Sequence, residues 1–251
     1  MNITIKDKDK LIDFLNNIAL VRDVCVLTIE KDKMWCLVQS ACTTFLMYSE
    51  TDAIGCSTNV ELNIPDIRRL VWSLERIDTD VCNELEIMSK PNSNTGAYIN
   101  YKSKIMRFRY YLLGDKRVAK PKANPENIKK FEGDCKFTVN PANLVEIVKA
   151  RSFTTATKAY FYSKESSIHC CLDDRRESSM DSVTLMLSEH YDGPDIISED
   201  SKPMNMEAIQ ALVGTKPELV ESTLDSSKGI MTFNIKTKHN KAKYILTPMI
   251  K

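Results

Sequence analysis

The chain has 251 residues, with 43% hydrophobic and 27% charged content, the composition of a globular protein with room for one large or two moderate domains. Lysine plus arginine number 35 against 34 aspartates and glutamates, so the net charge of +1 excludes a global pull toward nucleic acid or acidic ligands and leaves only local basic footprints. The N-terminus lacks an apolar leader and no stretch approaches the ~18 apolar residues of a spanning helix, which predicts a soluble protein that is not secreted and has no membrane partner.

The first predicted elements are an alternating triplet and a helix in "ITIKDKDKLIDFLNNI" from Ile3, with Leu11, Phe14, Leu15 and Ile18 forming the apolar stripe. Asp9 and Asp13 fall on its polar side. The runs "VCVLTIE", "MWCLVQS" and "CTTFLMYS" then read as strands with hairpin punctuation. A second helix follows in "NIPDIRRLVWSLERI", where Ile67, Leu70, Val71, Leu74 and Ile77 recur at helical spacing. At about 100° per residue, Arg69 and Arg76 lie nearly opposite that stripe. Trp72 falls close to them, and Arg68 is nearer the flank, where Glu75 partly offsets it. On its own this cationic side is an ordinary solvated face. Three further strand-like runs, "NELEIMS", "GAYINYK" and "IMRFRYYLL", complete the first half.

From Gly114 to Asp134 the chain is rich in Lys and Pro, the composition of a linker. Between Lys102 and Lys130 the only acids are Asp115 and Glu126.

The second half begins as the first does, with "FTVNPANLVEIVKAR" from Phe137: a triplet, then a helix with Leu144, Ile147 and Val148 inward, Asn140 as cap and Pro141 in the first turn. The strand runs "KAYFYS", "SIHCCLD" and "SVTLMLS" precede a helix in "MNMEAIQALVG", whose stripe is Met206, Ile209, Leu212 and Val213 behind an Asn205 cap. "ELVESTLD", "GIMTFNIK" and "KAKYILTPMI" close the chain. Ile3 to Tyr110 and Phe137 to Tyr244 span equal intervals. Each half therefore reads β-α-β-β-β-β-α-β-β-β, an α+β fold of two tandem repeats, with a first domain at 1–115, a connector at 116–134 and a second domain at 135–251.

Eight cysteines sit mostly in apolar strand-like runs with no CxxC pair, and the three histidines are dispersed. Buried reduced thiols are expected, with no metal and no cofactor. Asp173, Asp174, Glu177 and Asp181 in "LDDRRESSMD" offer an enzymatic counter-reading as a Mg²⁺-dependent nuclease site. The interleaved arginines and turn residues favour a charged hairpin loop.

Two such units in about 250 residues resemble the sliding clamps of DNA replication. "LDDRRESSMDSVTLMLSEHYDG" is similar to the corresponding part of the T-even phage clamp, and "KYILTPMIK" to the terminal strand and tail of two-domain clamps, including the eukaryotic and archaeal ones. The resemblance implies the DNA-clamp fold and a ring-forming homotrimer, six domains around double-stranded DNA, acting as a processivity factor without catalysis. Its implied partners are DNA, DNA polymerase and a clamp loader. A viral, phage-type origin would place it in the host cytoplasm. The closing edges would be the strands at 105–113 and 180–188. By position, the residues at or near the hole would be Arg68, Arg69, Arg76, Lys10, Arg22, Lys149, Arg151, Lys158 and Lys216. A partner-peptide pocket would draw on Val118, Ile128 and Phe131 of the connector with Leu246, Pro248, Met249 and Ile250 near the tail. Ordinary core is the competing role for those apolar residues, and a non-ring processivity factor holding DNA by charge is the competing function.

Overall fold

The computed structural model describes residues 2–5, 7–52, 59–77, 84–89, 93–102, 106–114, 118–174 and 181–249. The chain divides into two compact units, one of residues 1–39 with 48–123 and one of residues 40–47 with 124–251. Among the described residues no helix is long and apolar enough to cross a membrane.

Apart from residues 45–47 at the start of β4, the first unit holds β1 (Asn2–Ile5), α1 (Lys8–Ala19), β2 (Cys25–Ile29), β3 (Lys33–Gln39), β4 (Phe45–Asp52), β5 (Val60–Ile64), α2 (Ile67–Glu75), β6 (Glu84–Ser89), β7 (Gly96–Lys102) and β8 (Arg107–Tyr111). The strands pair in the orders β1-β6-β7-β8 and β5-β2-β3-β4. Side chains alternate across β7 and β8: Ile99 and Tyr110, paired in register, are buried, whereas the Tyr98 and Tyr111 pair faces outward. Both helices start on an aspartate whose carboxylate accepts a backbone N–H, Asp7 from Lys10 at 2.9 Å and Asp66 from Arg69 at 2.7 Å. The α1 and α2 stripes are buried as the periodicity predicts, and the two helices pack on each other.

The second unit opens with α3 (Pro125–Lys130), followed by β9 (Cys135–Val139), α4 (Pro141–Ala150), a single 3-10 turn at Arg151–Phe153, β10 (Lys158–Lys164), β11 (Ser167–Leu172), β12 (Val183–Ser188), β13 (Met204–Asn205), α5 (Met206–Gly214), β14 (Leu219–Leu224), β15 (Met231–Lys236) and β16 (Lys241–Leu246). Strand orders are β12-β11-β10-β13 and β16-β15-β14-β9. Asn140 and Asn205 cap α4 and α5 as expected, each accepting a backbone N–H at 2.9 Å. Helix α4 packs on α5. Val148 and Val213, assigned to the apolar stripes, are only half-buried, and Ala150, Ala208 and Ala211 occupy the interior instead.

Aside from α3, both units run β-α-β-β-β-β-α-β-β-β, the order anticipated from sequence. The fourth strands, β5 and the two-residue β13, are not among the runs quoted from sequence. Helix α3 lies inside the segment of linker composition. It is capped by Asn124, whose side chain accepts from the Glu126 N–H at 2.9 Å, with Pro125 in the first turn.

Strand β16 touches α3 and α5, and every residue from Ala242 to Leu246 is buried. Cys25, Cys36, Cys135 and Cys170 are buried thiols, and Cys171 is half-buried. Cys42 departs from the expectation of burial: it is exposed in the turn before β4, and the Thr44 hydroxyl lies 2.9 Å from its sulfur. Cys56 and Cys82 fall outside the described residues.

Candidate nucleic-acid interface

The helix surfaces left open to solvent differ in charge between and within the units. On α1 the exposed positions are Asp9, Asp13, Asn16 and, just past its end, Leu20. On α2 they are Arg68, Arg69, Trp72, Glu75 and, at the C-cap, Arg76. Of the two first-unit helices, α2 carries the exposed cations, because the lysines of α1 are engaged elsewhere. Lys8 Nζ donates to the Ile77 carbonyl at 2.7 Å, fastening the end of α2. Lys10 turns to Asp52 at 3.7 Å and keeps only 16% side-chain exposure.

The three arginines of α2 are held differently. Arg68 takes Asp23 through its backbone N–H at 3.1 Å and through Nε at 3.9 Å. Arg76 folds back so that its guanidinium lies 3.8 Å from the centroid of the Trp72 ring, while Nη1 donates to the Trp72 carbonyl at 2.9 Å. Arg69 is exposed, with no ion pair among the described residues. The base of this helix is braced by Tyr110, whose hydroxyl donates to the Asp66 carbonyl at 2.7 Å. Burial pushes the Tyr110 phenol up to about 12. Arg22, also exposed, reaches the Gln39 carbonyl at 3.4 Å.

In the second unit, Lys149 is exposed but sits 2.7 Å from Glu146 one turn earlier. Arg151 is half-buried beyond the end of α4, and Lys216 is exposed at a left-handed φ of 52°. Lys158 is paired at 2.7 Å with Asp174, each side chain 21% exposed. That pair engages one of the carboxylates of the nuclease-like cluster. Glu177 of that cluster lies outside the described residues, and no group of three potential metal ligands occurs among those described. The open face of α4 is mixed: Val145 is exposed beside the Glu146–Lys149 pair, and Phe153 is exposed in the 3-10 turn that follows.

Strands β8 and β12 each end a strand order, so one backbone edge of each is unpaired within its own sheet. On β8, Tyr111 is 66% exposed, Tyr98 stands 5.9 Å from it, and the Arg109 guanidinium lies 4.3 Å from the Tyr98 ring. On β12, Met186 is exposed, and Asn143 of α4 donates its amide to the carbonyls of Met186 at 3.3 Å and Leu187 at 3.2 Å.

The apolar residues assigned to a peptide pocket divide by burial. Val118, Ile128 and Leu246 are buried, whereas Phe131, Pro248 and Met249 are half-buried. Ile250 lies outside the described residues. The sequence gives no hint of a cleft of about 200 Å³ lined by Phe161, Ile196, Ile197, Lys202, Met204 and Gly229. Its floor depends on Gly229, at φ 69°, where a Cβ would stand 2.6 Å from Lys202 and 3.5 Å from Pro248. The tail passes beside it, and the Met249 N–H donates to the Pro203 carbonyl at 2.8 Å.

No protein-family model matches the sequence, and no curated protein matches it as a sequence relative. Its likeness is structural. The A. fulgidus PCNA, solved with the C-terminal region of FEN-1 bound, superposes with a TM-score of 0.73 at 11% identity, over 100% of this chain and 99% of that one. The proliferating cellular nuclear antigen of Entamoeba histolytica gives 0.72 at 12% identity, over 99% and 98%. A chain of Eubacterium rectale described as a DNA polymerase III beta subunit gives 0.70 at 11% identity, covering 100% of this chain and 65% of its own. This protein has the α+β fold that those chains share.

Proposed function

We propose that this chain is a replicative sliding clamp: three copies close into a ring around double-stranded DNA, and the ring tethers DNA polymerase after a loader has opened it. The observation that carries the reading is the match to PCNA chains over 99–100% of this chain and 98–99% of theirs. Within the ring, β8 of one copy pairs with β12 of the next, removing the open edge that each carries. Tyr111 and Met106 beside one edge, and Met186 and Phe153 beside the other, supply the exposed apolar surface for that junction.

The helices line the hole, and the arginines of α2 are the principal phosphate contacts, supported by Arg22, Arg151, Lys149 and Lys216. Such contacts are sequence-independent and exchange from one phosphate to the next, so the ring is retained by linkage while free to move along the duplex. A net charge of +1 fits retention by encirclement better than retention by charge. Lys10 and Lys158, each occupied by an acid, contribute less directly. The tail, with Pro248 and Met249, and the neighbouring cleft receive the apolar anchors of a polymerase peptide.

Light scattering after size-exclusion chromatography tests closure, and a species at the 28.6 kDa of one chain at working concentration overturns it. Tyr111→Asp places a charge beside the open edge of β8, where the wild-type side chain is solvated in the single chain. It is expected to leave the fold intact and abolish the trimer. Retention on nicked circular DNA, followed by release on linearisation, tests linkage.

A further inference from the structure

An indole is an expensive group to leave in water, yet Trp72 is 57% exposed on a helix whose opposite face is fully buried. Its surroundings are specific. Arg69 and Arg68 precede it by three and four positions and Arg76 follows by four, so all lie about one helical turn from it, on the open side of α2. Arg76 covers one part of the ring at 3.8 Å, and its hydrogen bond to the Trp72 carbonyl holds the guanidinium in that place. With Arg76 in that place Trp72 still keeps 57% exposure. Phosphate contact alone needs only the arginines, and a paired base inside a duplex cannot reach an indole. What an exposed indole between cations adds is a π-surface for a base that is not stacked in a helix.

We infer that Trp72, flanked by Arg68, Arg69 and Arg76, is a stacking site for an unpaired nucleobase of single-stranded DNA, with the adjoining phosphates held by the arginines. The inference deepens the clamp reading and rests on its placement of α2 beside nucleic acid. The same indole that is idle against duplex DNA gives the protein a preference for a strand whose bases are free, as at the end of a primer or in a gap. Trp35, the protein's other tryptophan, is unsuited to this: it is half-buried, stacked on Tyr48 and hydrogen-bonded through Nε1 to Glu30 at 2.7 Å.

The test uses the full-length protein, a twelve-residue oligothymidylate and a blunt duplex of equal charge, each labelled for fluorescence anisotropy, with tryptophan emission recorded in parallel. Oligothymidylate is expected to quench emission in the wild type and not in Trp72→Ala. The same substitution should weaken oligothymidylate binding about tenfold, the loss of roughly one stacked base, while duplex binding stays within about twofold. Trp72→Tyr should recover part of the affinity. Arg69→Ala combined with Arg68→Ala should weaken both ligands, because phosphates are common to them. Unchanged oligothymidylate affinity in Trp72→Ala, an equal loss for both ligands, or quenching that persists without Trp72 overturns the inference. Retention on nicked circular duplex is read separately. A wild type that fails to stay on the circle removes the ring reading, whereas the oligothymidylate result still decides the role of Trp72.

Discussion

Lys243 Nζ donates to the carbonyl of Lys129 at 3.0 Å and also to the carbonyl of Phe131, so a buried lysine of β16 closes the C-terminal end of α3. Helix ends leave carbonyls without partners, and a cation there also meets the negative end of the helix dipole. Burial lowers the Lys243 pKa, and Glu132 works in the opposite direction. Lys243→Met keeps the aliphatic stem and removes the donor. It is expected to cost about 1.5–3 kcal/mol in urea denaturation, the range for hydrogen bonds to a charged group. Amide exchange should quicken in residues 125–131 and stay unchanged in α4. Uniform exchange across both would show that the lysine does not hold α3.

Tyr110 links the last strand of the first unit to the arginine-bearing helix, and its phenol is raised chiefly by burial, to about 12. The unfolded phenol ionises near 10. The folded state therefore binds more protons between those values, and this contribution to stability is complete below pH 10 and lost as pH climbs through 12. Tyr110→Phe should flatten the fall in melting temperature across that window relative to wild type. An identical slope in both proteins would rule out the assignment.

The Tyr244 hydroxyl is buried with no hydrogen-bond partner among the described residues. Burial raises its pKa, and an unsatisfied buried hydroxyl costs about 1–3 kcal/mol. Tyr244→Phe keeps the ring packed in its site opposite Phe233 and should raise stability by about 1 kcal/mol in the same denaturation assay. A loss of stability would mean that the hydroxyl has a partner.

Arg69→Ala with Arg76→Ala should leave the circular dichroism spectrum unchanged, since both side chains are exposed. Affinity for duplex DNA should fall, and the salt dependence should lessen by roughly one unit of log–log slope per phosphate contact removed. An unchanged slope would mean that these arginines face bulk solvent rather than DNA.

What the sequence makes legible here follows from local periodicity. Leu11, Phe14, Leu15 and Ile18 repeat at helical spacing and are all buried, and the asparagines at 140 and 205 cap the helices they precede. Signals of that kind lie within a few residues. The pairings of Lys10 with Asp52 and of Lys158 with Asp174 depend on chain segments brought together only by folding, so a count of basic residues on helix positions overstates the cations available. Helix α3 is masked by its lysines, although Asn124 and Pro125 carry an ordinary start signal. β13 is too short to show alternation at all. The exposure of Cys42 has a local cause, the tight turn that leaves Thr43 at φ 60°.

The amide of Asn143 rests on the carbonyls of Met186 and Leu187. One amide thus ties α4 to the C-terminal part of β12, where the pairing with β11 also shifts register between Ile168 and His169. Helix and strand end are fastened by the same side chain, so a change at Asn143 is felt on β12 as well as on α4.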